Sequence, residues 1–244
     1  MAHLLTLFSS PFEPCDLPGL ALWLDATAPA TIALSGSNVT QWSDKSGKGN
    51  HATQSAGASQ PTYSATGLNG KPTLTFANDQ LVVTDATSLD YTVGITAFIV
   101  QQWTDNASAS AGGTVSIAKW GAGGSEFNIA TSAQNTTPVK PVNSAGQFVA
   151  QSLPNYSISE NTPFMQAVWF SDGDKVKTSI NGGTTTASSA NVTKVNGTEN
   201  LRIGSIFTAD TAQTISEVLL YTRPLLDWER TEVTNYLKRK WTVV

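Results

Sequence analysis

Residues 41–54, QWSDKSGKGNHATQ, bring a tryptophan, an aspartate, two glycines, two lysines, an asparagine and a histidine into fourteen positions. Three chemistries compete for such a stretch. Gly47, Gly49 and Ala52 formally fit the spacing of a dinucleotide-binding turn. That turn needs a parallel strand before it and a helix after it, and the following TQSAGASQPTY offers no helix. A P-loop fails as well, because no Ser or Thr follows Lys48. A calcium loop stays open: Asp44, Ser46 and Asn50 are hard oxygen donors, although a single carboxylate is few where tight loops use several. The preferred alternative is an architectural turn. In it Asp44 and Asn50 bond local backbone amides, Gly47 and Gly49 take positive φ, and Trp42 and His51 plug the end of the domain. Asp44 and Asn50 are kept as the candidate metal ligands.

Hydrolysis of a glycosidic bond needs two carboxylates flanking it. Glu126 and Glu217 stand isolated in the sequence, and Asp172 and Asp174 flank Gly173 in SDGD, which reads as a hairpin turn. A Ser-His-Asp triad would have to recruit His3 or His51, and no serine sits in a nucleophile-elbow glycine pattern. With one cysteine, Cys15, and no His/Cys cluster, neither an internal disulfide nor a zinc site is expected. The chain reads as non-catalytic.

Binding chemistry is better supplied. Sugars are held by aromatic faces and by amide or carboxylate side chains, and the chain has 7 tryptophans among many Asn and Gln residues. Trp103 borders TDNASASAGG and Trp120 precedes GAGGSEF, so Trp103, Asp105, Asn106 and Trp120 are the candidate ligand-binding residues at a loop rim. Trp23, Trp42 and Trp169 are assigned to the core.

The elements that must position these residues are strands. Charged residues make up 13% of the chain and hydrophobic ones 40%, with Ser, Thr, Asn and Gly dominating the rest, a mixture that suits strands and turns. Short apolar or alternating runs recur from residue 19 onward, among them LALWLDA, ITAFIVQQW, FMQAVWFSD and ISEVLLYTR. Ten or more such runs predict an all-β fold, a two-sheet antiparallel β-sandwich. Polar connections at 104–114, 131–146 and 183–199 are expected to be surface loops. The final segment differs. Asp227 is placed to cap a short C-terminal helix reaching about Trp241, with Val233, Tyr236, Leu237 and Trp241 on one stripe and basic residues late.

Residues 1–18 hold Pro11, Pro14 and Pro18 together with Leu4, Leu5, Leu7 and Phe8, which predicts an extended N-terminal arm ahead of one domain at 19–244. The apolar residues of the arm fit docking onto its own domain or onto another subunit, giving a homo-oligomer. The formal net charge of −4 disfavours nucleic acid as a partner, and no apolar run is long enough to span a membrane. The first residues make a poor signal peptide, so an extracellular or virion-surface setting is reached without an evident leader.

Several segments together carry a family resemblance: LWLDA, WSDKSGKGNHAT, GLNGKPTLTF, VWFSDGDKVKTSINGG, LRIGS and ISEVLLYTRPLLDWERTEVTNYL, in this order. The chain resembles the concanavalin A-like lectin/glucanase superfamily, specifically the laminin G-like jelly rolls of bacterial surface and phage virion proteins. The resemblance implies a jelly roll whose last strand is followed by a short helix, and a calcium site of some relatives would map near Asp44 and Asn50. Such folds host lectins, adhesion modules, glycosidases, lyases and virion parts. The expected function is a non-catalytic, lectin-like surface module. Its partners would be host-surface or environmental polysaccharide and other virion proteins, as in a phage head-decoration or tail-associated protein. The alternative is a carbohydrate-binding or adhesion domain of a bacterial cell surface, and a glycoside hydrolase or lyase is less favoured.

Overall fold

The computed structural model describes residues 11–103, 115–121, 124–130, 139–141, 158–159, 161–193, 196–204 and 212–244. The first strands are β1 (Leu20–Asp25), β2 (Ile32–Ser35), β3 (Asn38–Trp42), β4 (Ala52–Thr53), β5 (Thr62–Leu68), β6 (Lys71–Phe76) and β7 (Gln80–Val83). There follow β8 (Gly94–Trp103), β9 (Val115–Gly121), β10 (Gly124–Ala130), β11 (Val139–Pro141) and β12 (Phe164–Ser171). Last come β13 (Lys175–Ile180), β14 (Thr186–Asn191), β15 (Leu201–Gly204), β16 (Gln213–Tyr221) and the helix α1 (Asp227–Trp241). β11 and β14 lie in stretches expected to be loops. QFVAQS at 147–152, another of the apolar runs from which strands are predicted, lies outside the described residues.

Among the described residues every strand pair is antiparallel, and the hydrogen-bonded order runs β11-β10-β9-β15-β7-β4-β3-β5-β6-β16-β8-β12-β13-β14. This path folds over into two layers. Residues directly opposite across paired strands share a face, so Leu81, Ile203 and Ile117 align on one layer, as Ile99 and Val218 do on the other. All five belong to a single buried cluster, which is the sandwich core. The late strands β15 and β16 each slot between early ones, an arrangement that only long-range pairing produces.

Asparagine-glycine pairs set two hairpins. Asn69 and Gly70 (φ 50° and 75°) join β5 to β6, and Asn181 and Gly182 (φ 51° and 69°) follow β13, the double positive φ that such tight turns require. SDGD forms the β12–β13 hairpin as expected, with Gly173 at φ 74°.

The helix begins one residue earlier than expected, with its cap at 226 in place of 227. Leu226 occupies the N-cap position with extended backbone, and Asp227 is the first helical residue. Leucine has no oxygen with which to cap; Glu229 makes the reciprocal contact of a capping box, its Oε2 accepting from Leu226 N at 2.8 Å. Val233, Leu237 and Trp241 are buried at i, i+4 spacing, which lays α1 on the sheet, with Tyr236 partly buried beside them.

The arm is not extended throughout. Pro14–Asp16 form a 3₁₀ turn, and residues 11–18 lie on the chain's own domain. Tyr221 Oη donates to Pro14 O at 2.9 Å and Arg223 Nε to Pro18 O at 2.8 Å. Phe12 meets Tyr236 edge-on at 6.3 Å. Leu4, Leu5, Leu7 and Phe8 lie outside the described residues.

Candidate functional site

The loop at 43–51 is a staple built around one carboxylate. Asp44 Oδ1 accepts from the backbone N–H groups of Trp23 (2.9 Å) and Ser46 (2.8 Å), and Oδ2 accepts from Ser46 Oγ (2.7 Å) and Asn50 N (3.0 Å). Asn50 is buried, its Nδ2 donating to Ala21 O at 2.7 Å and its Oδ1 accepting from Ser88 Oγ at 3.0 Å. The side-chain oxygens of Asp44 and Asn50 thus all accept hydrogen bonds from the protein itself, the arrangement of the architectural turn, and calcium binding by this pair stays a proposal. Among the described residues no three His, Cys, Asp or Glu gather as a metal would require. Gly47 and Gly49 do take positive φ, at 81° and 76°. Trp42 is buried, but His51 is exposed, and its Nδ1 accepts from Asp44 N at 3.0 Å instead of plugging the domain.

The loop-rim assignment fails at Trp103. This side chain is 1% exposed and packs edge-on against Phe164 with ring centroids 4.7 Å apart, at the interior end of β8. Its register opposite Gln213 turns it into the sandwich, where the large ring fills volume. Asp105 and Asn106 lie outside the described residues; Trp120 belongs to β9, but its side chain is not among those described.

The glutamates isolated in sequence are not isolated in space. Glu217, buried under α1, accepts from Trp23 Nε1 at 2.8 Å and from Trp241 Nε1 at 2.5 Å. Lys240 Nζ sits 2.8 Å from Glu217 and 2.8 Å from Asp25, and Lys45 Nζ pairs with Asp25 at 2.6 Å. Burial pushes the Glu217 carboxyl above its ordinary range, with Lys240 pulling against it. Burial also works to raise Asp25, but Lys240, Lys45 and Thr27 together outweigh it and hold this carboxyl below its ordinary value. Two acids meeting two ammonium groups and two indoles form a closed network, because the donors occupy the oxygens that a substrate would need. Glu126 likewise pairs with Lys119, at 2.7 Å.

A cavity of about 420 Å³ touches this network at Asp25, Lys45 and Lys240, and a larger open surface lies elsewhere. A groove of about 1000 Å³ runs between the outer face of β12–β13 and one flank of α1. Alternation in the strands gives its floor Ala167, Trp169 and Ser171 from β12 with Lys177 and Ser179 from β13. Helical spacing gives its wall Trp228, Thr231, Asn235 and Lys238, at i, i+3, i+7 and i+10. Trp228 is 59% exposed at the rim. The guanidinium of Arg230 lies 4.3 Å over the ring of Trp169, and it also pairs with Asp227. Lys238 Nζ donates to Asn181 O at 3.2 Å, closing the end at the Asn181–Gly182 turn.

This lining offers an exposed aromatic face, amides, hydroxyls and ammonium groups. Among the lining residues Asp227 alone is a carboxylate, so the second acid of a two-carboxylate mechanism is missing there. None of these residues was singled out as ligand-binding from sequence. The available signal was a tryptophan two positions into the helix, off the apolar stripe that packs α1.

No family model matches the chain, and no curated protein matches it. Solved structures do share its fold. The binding domain of Paraclostridial Mosquitocidal Protein 1 superposes with a TM-score of 0.67 at 13% identity, over 92% of this chain and 53% of that one. The botulinum neurotoxin serotype D binding domain gives 0.61 at 11% identity, over 89% and 51%. Trypanosoma rangeli sialidase in complex with sialic acid gives 0.58 at 16% identity, over 93% and 34%. The chain thus spans about half the length of the toxin binding domains and a third of the sialidase. At these identities the likeness is one of fold, an all-β sandwich.

Proposed function

We propose that this chain is a non-catalytic, lectin-like binding module of the concanavalin A-like, laminin G type, which holds a polysaccharide in the groove between β12–β13 and α1. The observation that carries this reading is Trp228, a large aromatic more than half exposed beside a concave surface lined by Asn235, Thr231, Ser179 and Lys238. An indole face stacks on the C–H face of a sugar ring, and the polar side chains take its hydroxyls. The sandwich shared with toxin binding domains is compatible with such a role. Affinity electrophoresis of the chain through gels containing a panel of polysaccharides tests it. At least one polysaccharide should retard the chain, and Trp228→Ala should abolish the retardation without lowering the melting temperature. Migration unaffected by every polysaccharide, or unchanged binding by Trp228→Ala, overturns it.

The finer part of the reading is display on a particle, as a head-decoration or tail-associated component of a phage virion, with residues 1–10 as the attachment or self-assembly segment. What supports it is the apolar character of Leu4, Leu5, Leu7 and Phe8 just ahead of a docked segment. Light scattering of the full chain and of a chain lacking residues 2–10 tests it. An oligomer that becomes monomeric on deletion supports assembly, and equal masses count against it.

A further inference from the structure

At one end of the sandwich interior an ammonium is enclosed with three carboxylates. Lys119 Nζ lies 2.7 Å from Glu126 Oε1, 2.9 Å from Asp85 Oδ1 and 3.8 Å from Asp90 Oδ1. The side chains of Lys119 and Glu126 are 0% exposed, while that of Asp85 is 26% exposed. Register explains the enclosure: Lys119 stands opposite Leu201 on β15 and Phe127 on β10, and Leu201 stands opposite Val83 on β7. Apolar walls thus surround a group that is costly to desolvate.

Ion pairing is a weak reason for such a cluster, because hydrophobic residues of similar volume commonly stabilise a fold as well as a buried pair does. The contacts instead match what amide formation requires: an amine shielded from water within touching distance of a partly buried carboxyl, with a second, fully buried carboxyl against the same nitrogen. Glu126 Oε2 is buried without a hydrogen-bond partner, leaving an oxygen free to carry a proton.

We propose that Lys119 and Asp85 condense into an intramolecular isopeptide bond, with Glu126 as the proton carrier. The Lys119 ammonium first passes one proton to the Asp85 carboxylate, leaving a neutral amine and a neutral acid. The Nζ lone pair then attacks Asp85 Cγ. The C–O bond to the hydroxyl breaks, that hydroxyl leaves as water with a proton from Glu126, and Glu126 recovers a proton from the nitrogen. One water is released, both charges vanish, and no oxidant or activated group is consumed. Burial holds Glu126 above the ordinary carboxylate range even against Lys119, which favours the protonated form this role needs. Burial works to depress Lys119 as well, but Glu126 and Asp85 more than offset it. The ammonium therefore persists at neutral pH, and its proton must pass to Asp85 before the nitrogen can attack.

The bond would tie β9 to the segment following β7, across the intervening β15. In a chain whose single cysteine excludes an internal disulfide, it supplies a covalent staple by other means. This inference stands apart from the groove and from glycan binding.

Chymotryptic digestion of the purified full chain, read by tandem mass spectrometry, tests it. Cleavage after Phe76, Tyr91, Trp103 and Trp120 separates the peptide bearing Asp85 from the one bearing Lys119. The two are expected as one linked species, lighter than their sum by one water, with the fragment ions placing the link at Asp85. Asp85→Ala, which keeps the Lys119–Glu126 pair, should yield the peptides unlinked, and folded Glu126→Gln should yield them largely unlinked. Separate full-mass peptides from the folded wild type overturn the proposal. So does a link that survives in Asp85→Ala, and an undiminished link in Glu126→Gln overturns the role of Glu126.

Discussion

Trp241 Nε1 donates to Glu217 Oε2 at 2.5 Å, fastening the last turn of the helix to the middle of β16. The contact lies beside the Lys240–Asp25 pair, and it depends on Glu217 keeping two acceptor oxygens, Oε1 for Trp23 and Oε2 for Trp241.

Glu217→Gln places an amide NH₂ against indole N–H groups and the Lys240 ammonium, setting donor against donor. Breaking one side of a buried charged network costs about 3–5 kcal/mol. Urea denaturation of the variant should show a loss of that order, with the midpoint displaced and the slope retained.

The acid limb of stability should be carried by Asp25 and Glu229. Arg223, in a paired contact, holds Glu229 below its ordinary value despite burial, and Asp25 is also held low. A depressed folded value means stability that is fully present above the unfolded carboxylate value of about 4 and is lost as pH falls through the folded value. Glu217 has the opposite sign: its raised folded value gives stability that declines as pH rises from the unfolded to the folded value. Denaturation midpoints followed from about pH 2 to 7 should therefore fall less steeply below about pH 4 in Asp25→Asn than in the wild type.

Asp44→Ala should loosen the 43–51 loop by removing the acceptor of four hydrogen bonds, each worth about 1 kcal/mol or more, read as a fall in melting temperature. Calcium or a chelator should leave the melting temperature of the wild type unchanged. A calcium-dependent rise would establish Asp44 and Asn50 as ligands.

Truncation at two points should separate docking from assembly. Removal of residues 1–18 takes away the carbonyl that receives the buried Tyr221 hydroxyl and exposes the pocket of Leu17, which is 6% exposed. An unsatisfied buried hydroxyl alone costs about 1–3 kcal/mol, so the melting temperature should drop. Removal of residues 2–10 should leave it unchanged.

The two tryptophans at the centre of the binding question should behave in opposite ways. Trp103→Ala leaves a cavity beside Phe164 and should cost about 3–5 kcal/mol. Trp228→Ala, at an exposed position, should stay within about 0.5 kcal/mol of the wild type while polysaccharide binding is lost. Calorimetry alongside affinity electrophoresis checks both.

Local pattern carried the architecture. The alternating runs, the Asn-Gly turns at 69–70 and 181–182, the SDGD hairpin and the stripe of Val233, Leu237 and Trp241 are statements about neighbours a few residues apart, and their geometry follows from backbone sterics and periodicity. The cap at Asp227 missed by one residue because Glu229 reaches back to Leu226, a substitute that local preference for capping residues does not rank. The chemistry of the polar residues was not local. Glu217 meets Trp23 across 194 positions and Gly197 meets Glu126 across 71. Lys119 finds Asp85 only because β15 pairs β9 with one edge and β7 with the other. A carboxylate or an indole has the same intrinsic chemistry wherever it stands. Whether it becomes a site, a staple or core filling is decided by register, which sets the side of the sheet it faces and the distant groups that desolvate or neutralise it.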